Sequence, residues 1–257
     1  MARYFLEVAY HGAAYSGFQV QENAQTIQGV VEKALATFYR EPIILTGSSR
    51  TDAGVHAKQN FFHTDTTLEP EAQHLYNLNA LLPGDIVLKG IYRVPPEAHC
   101  RFDACSREYK YVIYNQKNPF LADRAWYYPY PLEMGILQEM AALVPLFTDF
   151  SSFSKRNTQV KTYECRVMIS EWVREGGQWI YRVQANRFLR GMVRGLVGTM
   201  VRASRKPSAV AVFREICAGR DMRRVDFSAP ARGLFLEAVR YPDVLEQYWV
   251  GEKKISK

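Results

Sequence analysis

The candidate reactive group of this chain is an aspartate in a polar loop. Residues Gly47–Ala57 are polar and interrupted by glycine, and they lie between two short apolar runs, which predicts a loop joining two strands. Within this loop, Asp52 lies two positions after Arg50 and two before Gly54. A neighbouring guanidinium keeps a carboxylate ionised, and a glycine lets the backbone approach a ligand closely. Asp52 is therefore a candidate nucleophile.

Two other interpretations fit the same residues. An Arg-Thr-Asp-x-Gly run is also typical of a tight turn in which the aspartate accepts hydrogen bonds from nearby backbone N–H groups. Asp52 and His56 are four positions apart and suggest a metal site, but no third ligand lies nearby in the sequence and a loop does not stack the pair on a helix face. We therefore expect no metal site, while the local pattern leaves nucleophile and turn both open.

The loop is one of six blocks that resemble a known family. Its core, Arg-Thr-Asp-Ala-Gly-Val-His at Arg50–His56, is similar to the catalytic signature of the tRNA pseudouridine synthase A family. The other five blocks follow in the family's order: Tyr10–Gln19, Leu82–Ile86, His99–Phe102, Arg107–Tyr111 and Phe188–Arg194. The resemblance therefore extends over most of the chain.

The resemblance implies an activity and a set of roles. The activity is isomerisation of uridine to pseudouridine at positions 38–40 of the tRNA anticodon stem-loop. Asp52 would be the nucleophile, and Tyr109 would stack on the flipped base or assist proton transfer. Arg194 would pair with Asp52, and Arg50 would help to hold the target nucleotide out of its stack. The family forms homodimers in which one tRNA contacts both subunits, so a homodimer is expected.

Four positions depart from the family's usual residues. His11 stands where aspartate is usual, Phe18 where tryptophan is usual, Cys100 where alanine is common and Gly191 where a polar residue is common. None of them replaces the aspartate, the tyrosine or the second arginine of the implied site. The departures therefore bear on substrate contacts rather than on the chemistry.

Composition and charge agree with a folded protein that binds a polyanion. The 257 residues are 47% hydrophobic, which suffices for one large domain or two small ones, and the net charge of +7 favours a polyanionic partner. The four cysteines form no Cys-x-x-Cys pair, so neither a zinc motif nor a disulfide framework is expected. Without an apolar leader or a run long enough to span a membrane, we expect a cytoplasmic protein.

The elements that position these residues follow the order β-α-β-β-α-β twice. Period-2 and period-3.6 patterns predict, among others, a helix capped by Thr26, a short strand at Ile43–Leu45, a hairpin that turns at Glu175–Gly177 and a helix beginning at Asn186. The order predicts an α+β fold of two ferredoxin-like halves with antiparallel sheets. The resemblance implies the pseudouridine synthase fold, in which the halves share a central cleft. We place the halves at residues 1–100, with the aspartate loop, and 101–245, with the tyrosine strand and arginine helix, before a polar tail at 246–257.

A basic stretch in the second half is a candidate RNA contact. Arg182–Lys206 carries seven cationic side chains and no acidic one. At roughly 100° per residue, five arginines fall on about a third of the helix surface: Arg187, Arg190, Arg194, Arg202 and Arg205. Three glycines lie beside them, each costing up to ~1 kcal/mol of helix propensity relative to alanine, which suggests that something large approaches this face. Solvated charged faces normally mix signs, so we interpret the face as a phosphate-binding surface.

Tyr109 and the chemistry leave further alternatives. Tyr109 and Tyr111 share one face of a predicted strand, and a strand tyrosine more often packs in the core than stacks on a ligand. The resemblance instead makes Tyr109 the platform for the extruded uracil. Uridine isomerisation involves no redox change, so no cofactor is expected. The rival hypotheses are an RNA-binding protein that has lost catalysis and a nucleoside hydrolase, which would need a second carboxylate beside Asp52.

Overall fold

The computed structural model describes residues 1–155, 160–242 and 245–250. The chain divides into two compact units, Met1–Cys105 with Leu236–Lys257, and Ser106–Phe235. The break thus follows Cys105 rather than residue 100, and the chain from Leu236 onward groups with the first unit rather than the second. Of the polar tail expected at 246–257, residues 251–257 lie outside the described residues.

The first unit has the predicted order β-α-β-β-α-β. Its elements are β1 (Ala2–Tyr10), α1 (Ile27–Tyr39), β2 (Thr46–Gly47), β3 (His56–Thr66), α2 (Ala72–Leu81) and β4 (Ile86–Val94). All the pairings are antiparallel, with β1 between β3 and β4, and β2 on the other side of β3. Leu6 of β1 lies opposite Phe62 of β3 and Ile91 of β4, so the central strand is buried among apolar neighbours.

Helix α1 forms where its cap and apolar spacing predict it. The Thr26 hydroxyl accepts a hydrogen bond from the Gly29 backbone N–H at 3.2 Å and caps the helix. Ile27, Val31 and Leu35 are buried at the spacing of one helical face.

The prediction of a strand at Ile43–Leu45 is wrong. The first hydrogen-bonded strand after α1 is β2, which begins at Thr46. Ile43 and Leu45 are buried and Ile44 is 80% exposed, so the alternation of a strand is present. The backbone of Leu45, however, bonds to side chains of α1. Its N–H donates to Glu32 Oε1 at 2.9 Å, and its carbonyl accepts from Gln28 Nε2 at 2.8 Å. Side chains of α1 thus make the backbone hydrogen bonds of Leu45 that a neighbouring strand would make if the apolar pattern had formed a strand here.

The second unit repeats the strand and helix order with additions. Its elements are β5 (Ser106–Tyr114), β6 (Trp126–Tyr127), α3 (Met134–Leu143), β7 (Val167–Glu175), β8 (Gln178–Ala185), α4 (Met192–Ala203) and α5 (Ala209–Ala218), and β9 (Leu234–Arg240) leads back to the first unit. Strand β8 pairs antiparallel with both β5 and β7, and the predicted turn of β7–β8 contains Gly176 and Gly177, both at positive φ. The architecture is α+β, as predicted. Among the described residues, none of the helices is both long and apolar enough to cross a membrane.

The predicted arginine helix is shorter than expected. Helix α4 begins at Met192, and the residue before it, Gly191, has φ 77°, a left-handed conformation that an α-helix cannot include. Arg187 and Arg190 therefore precede the helix, and the prediction of one continuous stripe of five arginines on a helix beginning at Asn186 is wrong.

The glycines of α4 serve internal packing. A Cβ at Gly198 would lie 2.4 Å from the Asp226 carbonyl oxygen, and one at Gly195 would lie 2.9 Å from the Phe227 ring. Both glycines are buried, and the Asp226 N–H donates to the Thr199 hydroxyl at 3.0 Å. The inference that these glycines make room for a large ligand is therefore wrong, because the chain itself occupies that room.

Candidate active site

Asp52 lies in the predicted loop, between β2 and β3. The Val55 N–H donates to the Asp52 carbonyl oxygen at 3.1 Å, and Gly54 between them has φ 77°. The backbone of Asp52 thus does form a tight turn, one that needs glycine. The Asp52 side chain is half-buried, whereas Arg50 is exposed. A half-buried carboxylate on a fixed turn is suited to reach a ligand, so the turn and the reactive role are compatible.

A buried hydrogen-bond network holds the residue next to Asp52. The hydroxyls of Tyr10 and Thr51 lie 2.8 Å apart. Asn60, which is 0% exposed, donates through Nδ2 to Tyr10 Oη at 3.2 Å and to the Ser49 carbonyl at 2.8 Å. These bonds join β1, β3 and the loop. Because buried polar groups are costly to leave unpaired, the network fixes the loop backbone on both sides of Arg50.

The segment after β1 packs on the same loop through two glycines. A Cβ at Gly12 would lie 2.0 Å from the Val55 carbonyl oxygen, so only glycine fits without moving the loop. Gly17 has φ 104° and approaches the Thr51 carbonyl, which accepts a hydrogen bond from the Phe18 N–H at 3.1 Å. The Tyr10–Gln19 and Arg50–His56 blocks therefore pack directly on each other.

A third block, Leu82–Ile86, anchors that segment. The Tyr15 hydroxyl donates to Asp85 Oδ1 at 2.6 Å, and the His11 N–H donates to the Asp85 carbonyl at 2.8 Å. Burial, followed by the bond to Asp85, raises the pKa of Tyr15 well above its usual value. The phenol therefore stays protonated and remains a donor at neutral pH.

Two of the departures from the family pattern lie next to this loop. Phe18 is buried and stacks on Phe62, with ring centroids 4.6 Å apart and planes 9° apart. His11 packs on His56, whose Nδ1 accepts the Gly12 N–H at 3.1 Å. That bond commits one ring nitrogen of His56 to the backbone. The contacts of Phe18 are those of a core residue.

The network predicts a loss when Asn60 is replaced by alanine. The change leaves the Ser49 carbonyl and the Tyr10 hydroxyl without this buried partner, at a cost of ~1–3 kcal/mol in the free energy of unfolding. Denaturant unfolding should show this loss. Lys58→Ala, two positions before Asn60 in the sequence, removes an ion pair with Glu237 in which the lysine is 57% exposed, and should cost less than ~1 kcal/mol. Equal costs for the two variants would show that the network does not stabilise the loop.

In the second unit, Tyr109 lies on β5 and is 8% exposed. Its ring meets that of Phe188 edge to face, with centroids 5.0 Å apart. On the same strand face, Tyr111 is completely buried and donates through its hydroxyl to the Pro230 carbonyl at 2.7 Å. Burial raises the pKa of Tyr111 far above its usual value. Of the two tyrosines, Tyr109 is the one that retains exposed surface beside the Phe188–Arg194 block.

The segment between β8 and α4 presents two of the predicted arginines. Asn186 holds it, because its Oδ1 accepts the backbone N–H groups of Arg166 and Arg187 at 2.8 and 2.9 Å. Further along, the Arg190 carbonyl accepts the Lys155 N–H at 3.1 Å. Arg190 is exposed and Arg187 half-buried, so the fixed backbone carries two cationic side chains at or near the surface.

The other three arginines make contacts within the unit. Arg194 lies in the first turn of α4, is half-buried and donates through Nε to the Ala229 carbonyl at 2.7 Å. The Arg202 guanidinium donates to the Arg224 carbonyl. Arg205 follows the helix and stacks on the rings of Tyr128 and Tyr130, 5.0 and 4.4 Å from their centroids.

Comparison with known proteins decides the family. Residues 148–242 match the family model described as tRNA pseudouridine synthase. The tRNA pseudouridine synthase A of Porphyromonas gingivalis is 42% identical over 250 residues, which cover 95% of this chain and 99% of that protein. The chain belongs to the tRNA pseudouridine synthase A family. Proteins of the same name from Bacteroides fragilis and Staphylococcus aureus strain MRSA252 are 42% and 33% identical, covering 93% and 92% of this chain and 96% and 91% of those proteins.

The structure shows residues that hold the Asp52 loop in place and that membership of the tRNA pseudouridine synthase A family alone does not indicate. The pairing of Tyr15 with Asp85 and the network of Asn60 were not predicted from the sequence. A signal for Asn60 exists, since it is an amide at the start of the apolar run Asn60–Thr64. A cluster of possible metal ligands formed by His63, His99 and Cys100 was also not predicted from the sequence.

Proposed function

We propose that this protein isomerises uridine to pseudouridine at positions 38–40 of the tRNA anticodon stem-loop, with Asp52 as the nucleophile. The observation that carries the proposal is the similarity over 95% of the chain to a protein named tRNA pseudouridine synthase A. The fixed turn that carries Asp52, within the Arg50–His56 block, supports it.

The proposed chemistry rearranges one nucleotide without an external reactant. The glycosidic bond between C1′ of the ribose and N1 of uracil breaks, the base turns, and C5 bonds to C1′. The proton on C5 is lost and N1 gains one, so the atoms of the nucleotide are conserved. Asp52 acts on the ribose side of this exchange. One carboxylate suffices because the base never leaves, whereas a retaining glycosidase needs a second carboxylic acid to protonate its leaving group.

Tyr109 is the proposed platform for the extruded uracil. An enzyme that acts on a base takes it out of the helix and stacks it on an aromatic side chain. The contact of Tyr109 with Phe188 supports this role, since it orients a ring that is buried except for 8% of its surface. Arg50, exposed on the Asp52 loop, is proposed to hold the displaced nucleotide.

Arginines at or near the surface are proposed to bind the tRNA backbone. Arg187 and Arg190 suit this role best, because a fixed segment presents them. Arg202 and Arg205 are exposed but also bond or stack within the unit, so we assign them secondary contacts. We further propose that the protein works as a homodimer and, given its tRNA substrate, in the cytoplasm.

The phosphate contacts predict a change in salt dependence. Replacing both Arg187 and Arg190 by alanine should weaken tRNA binding and make the slope of log affinity against log salt shallower by about one to two, since each lost phosphate contact lowers the counterion release. Binding measured at several salt concentrations gives the slope. The matched control replaces Arg220 and Arg223, which pair with Asp149 and Asp221, and should leave the slope unchanged. Equal slopes for the arginine double mutant and the wild type would remove Arg187 and Arg190 from the interface.

The activity itself is tested by release of the C5 hydrogen. Transfer RNA carrying uridine tritiated at C5 should lose tritium to water when it is incubated with the protein, because C5 loses its hydrogen when it bonds to C1′ of the ribose. We expect release with a tRNA that has uridine at positions 38–40 and none when those uridines are replaced by cytidine. Absence of release from the first tRNA, with tight binding retained, would instead favour an RNA-binding protein without catalysis.

A further inference from the structure

Three side chains that bind soft and borderline metals meet in the first unit. His63, His99 and Cys100 each place one ligand atom within 4.8 Å of the other two. His63 and Cys100 are buried and His99 is half-buried. The closest pair is His63 Nδ1 and Cys100 Sγ, which are 3.1 Å apart.

The fold fixes each of the three residues. His63 lies on β3 opposite Phe5 of β1 and Thr46 of β2, inside the sheet. Cys100 is held by the Tyr241 hydroxyl, which donates to its carbonyl at 2.6 Å. The backbone N–H of His99 donates to Asp103 Oδ2 at 2.7 Å. The donors are thus held by the backbone rather than by flexible surface segments.

The spacing of one ligand pair suits a tetrahedral ion. Zinc lies about 2.3 Å from a thiolate sulfur and about 2.0–2.1 Å from a histidine nitrogen, which places sulfur and nitrogen roughly 3.5 Å apart. The 3.1 Å between His63 Nδ1 and Cys100 Sγ is close to this value. The ring of His99 meets that of His63 with centroids 4.5 Å apart, so it borders the same space.

We propose that His63, His99 and Cys100 form a binding site for a thiophilic divalent cation, with zinc as the natural candidate and water as the fourth ligand. Two imidazoles and one thiolate are a ligand set that selects zinc over magnesium or calcium, which prefer oxygen. The site is independent of the uridine chemistry.

Binding requires two local changes. The Cys100 thiol, which donates to the Thr46 carbonyl at 3.3 Å, releases its proton to solvent as it becomes a thiolate ligand. His99 Nδ1 accepts the Arg101 N–H at 3.1 Å, and this exposed N–H bonds to water when the nitrogen turns to the ion.

Nearby charges permit a cation. The Arg3 guanidinium, which donates to the Ala98 carbonyl at 2.9 Å, is paired with both carboxylate oxygens of Asp65 at 2.8 and 2.6 Å. The Asp103 carboxylate, which accepts the His99 N–H at 2.7 Å, adds a negative charge beside the cluster. The thiolate adds one negative charge when the ion binds, so the site offsets part of the ion's charge.

Cobalt(II) provides the test, because a thiolate ligand gives it a charge-transfer absorption that nitrogen and oxygen ligands do not. Reduced, tag-free full-length protein titrated with cobalt chloride should develop this absorption, saturate at one equivalent and lose it when zinc chloride is added. Cys100→Ala should abolish the absorption. Cys105→Ala, which removes an exposed thiol five positions later, is the matched control and should keep it.

A second variant separates ligation from a general effect of the thiol. His63→Gln keeps Cys100 and should weaken cobalt binding by at least about tenfold, as expected when a metal ligand is lost. Circular dichroism establishes that each variant is folded. The proposal is overturned if folded wild type shows no thiolate absorption with excess cobalt, or if Cys100→Ala or His63→Gln binds cobalt as the wild type does.

Discussion

Asp52→Asn should abolish pseudouridine formation while leaving tRNA affinity nearly unchanged. Asparagine has the same size and the same place in the turn closed by Val55, but its amide is neutral and a far weaker nucleophile than a carboxylate. Loss of a nucleophile typically lowers kcat by about 10⁴-fold or more. Single-turnover rates of tritium release, measured with saturating enzyme, report the chemical step directly.

The control for Asp52→Asn is Asp123→Asn, the same change at an exposed carboxylate that pairs with Arg124. It should keep the wild-type rate. Filter binding of the same tRNA should give equal affinities for the wild type and both variants. If Asp52→Asn retained even about a tenth of the wild-type rate, Asp52 would not be the nucleophile.

Replacing Tyr109 by leucine should lower the rate of isomerisation by about 10²-fold or more. A stacked base gains about 1–3 kcal/mol from an aromatic platform, and misplacement of a reacting group by 1 Å costs about 10²-fold. Leucine keeps an apolar side chain next to Phe188 but offers no ring to the uracil. Single-turnover rates, compared with tRNA affinity, show where the loss falls.

Tyr109→Phe distinguishes the two roles that the family resemblance implies for this residue, stacking on the base and assisting proton transfer. A platform needs only the ring, so the phenylalanine variant should keep most of the rate. A residue that assists proton transfer needs the hydroxyl, and the same variant would then lose about 10²-fold or more. Tyr114→Phe, at the end of the same strand, is the control and should be neutral. A wild-type rate for Tyr109→Leu would contradict the platform altogether.

Local signals in the sequence were sufficient for much of the fold. The cap at Thr26, the apolar face of α1 and the repeated strand and helix order all follow from short-range patterns, and each is present. The loop around Asp52 was predictable for the same reason, since its polar residues and Gly54 exclude regular structure. Signals of this kind reside in neighbouring residues, which a sequence displays directly.

The errors arose where tertiary contacts decide the local structure. Glu32 and Gln28 take the backbone bonds of Leu45, so an apolar run that reads as a strand is not one. The glycines of α4 suggested space for a ligand, but the backbone of Asp226 fills the space beside Gly198. A sequence does not show which distant residue completes a hydrogen bond or fills a gap.

The supporting residues of the site depend on the same long-range placement. Tyr10, Thr51 and Asn60 lie in three separate stretches, and only the pairing of β1 with β3 brings them together. The cluster of His63, His99 and Cys100 has no motif spacing for the same reason. Burial lowers the pKa of His63 to about 4, an effect that sequence position alone does not indicate.

The most direct test of the central claim is nucleotide-resolution mapping of pseudouridine in tRNA after incubation with the purified protein. The substrate is an unmodified tRNA with uridine at positions 38, 39 and 40 and at other sites as internal controls. We predict pseudouridine within positions 38–40 and none elsewhere with the wild type, and none at all with Asp52→Asn. Pseudouridine at other positions, or unmodified uridine throughout with the wild type bound to the tRNA, would contradict the proposed function.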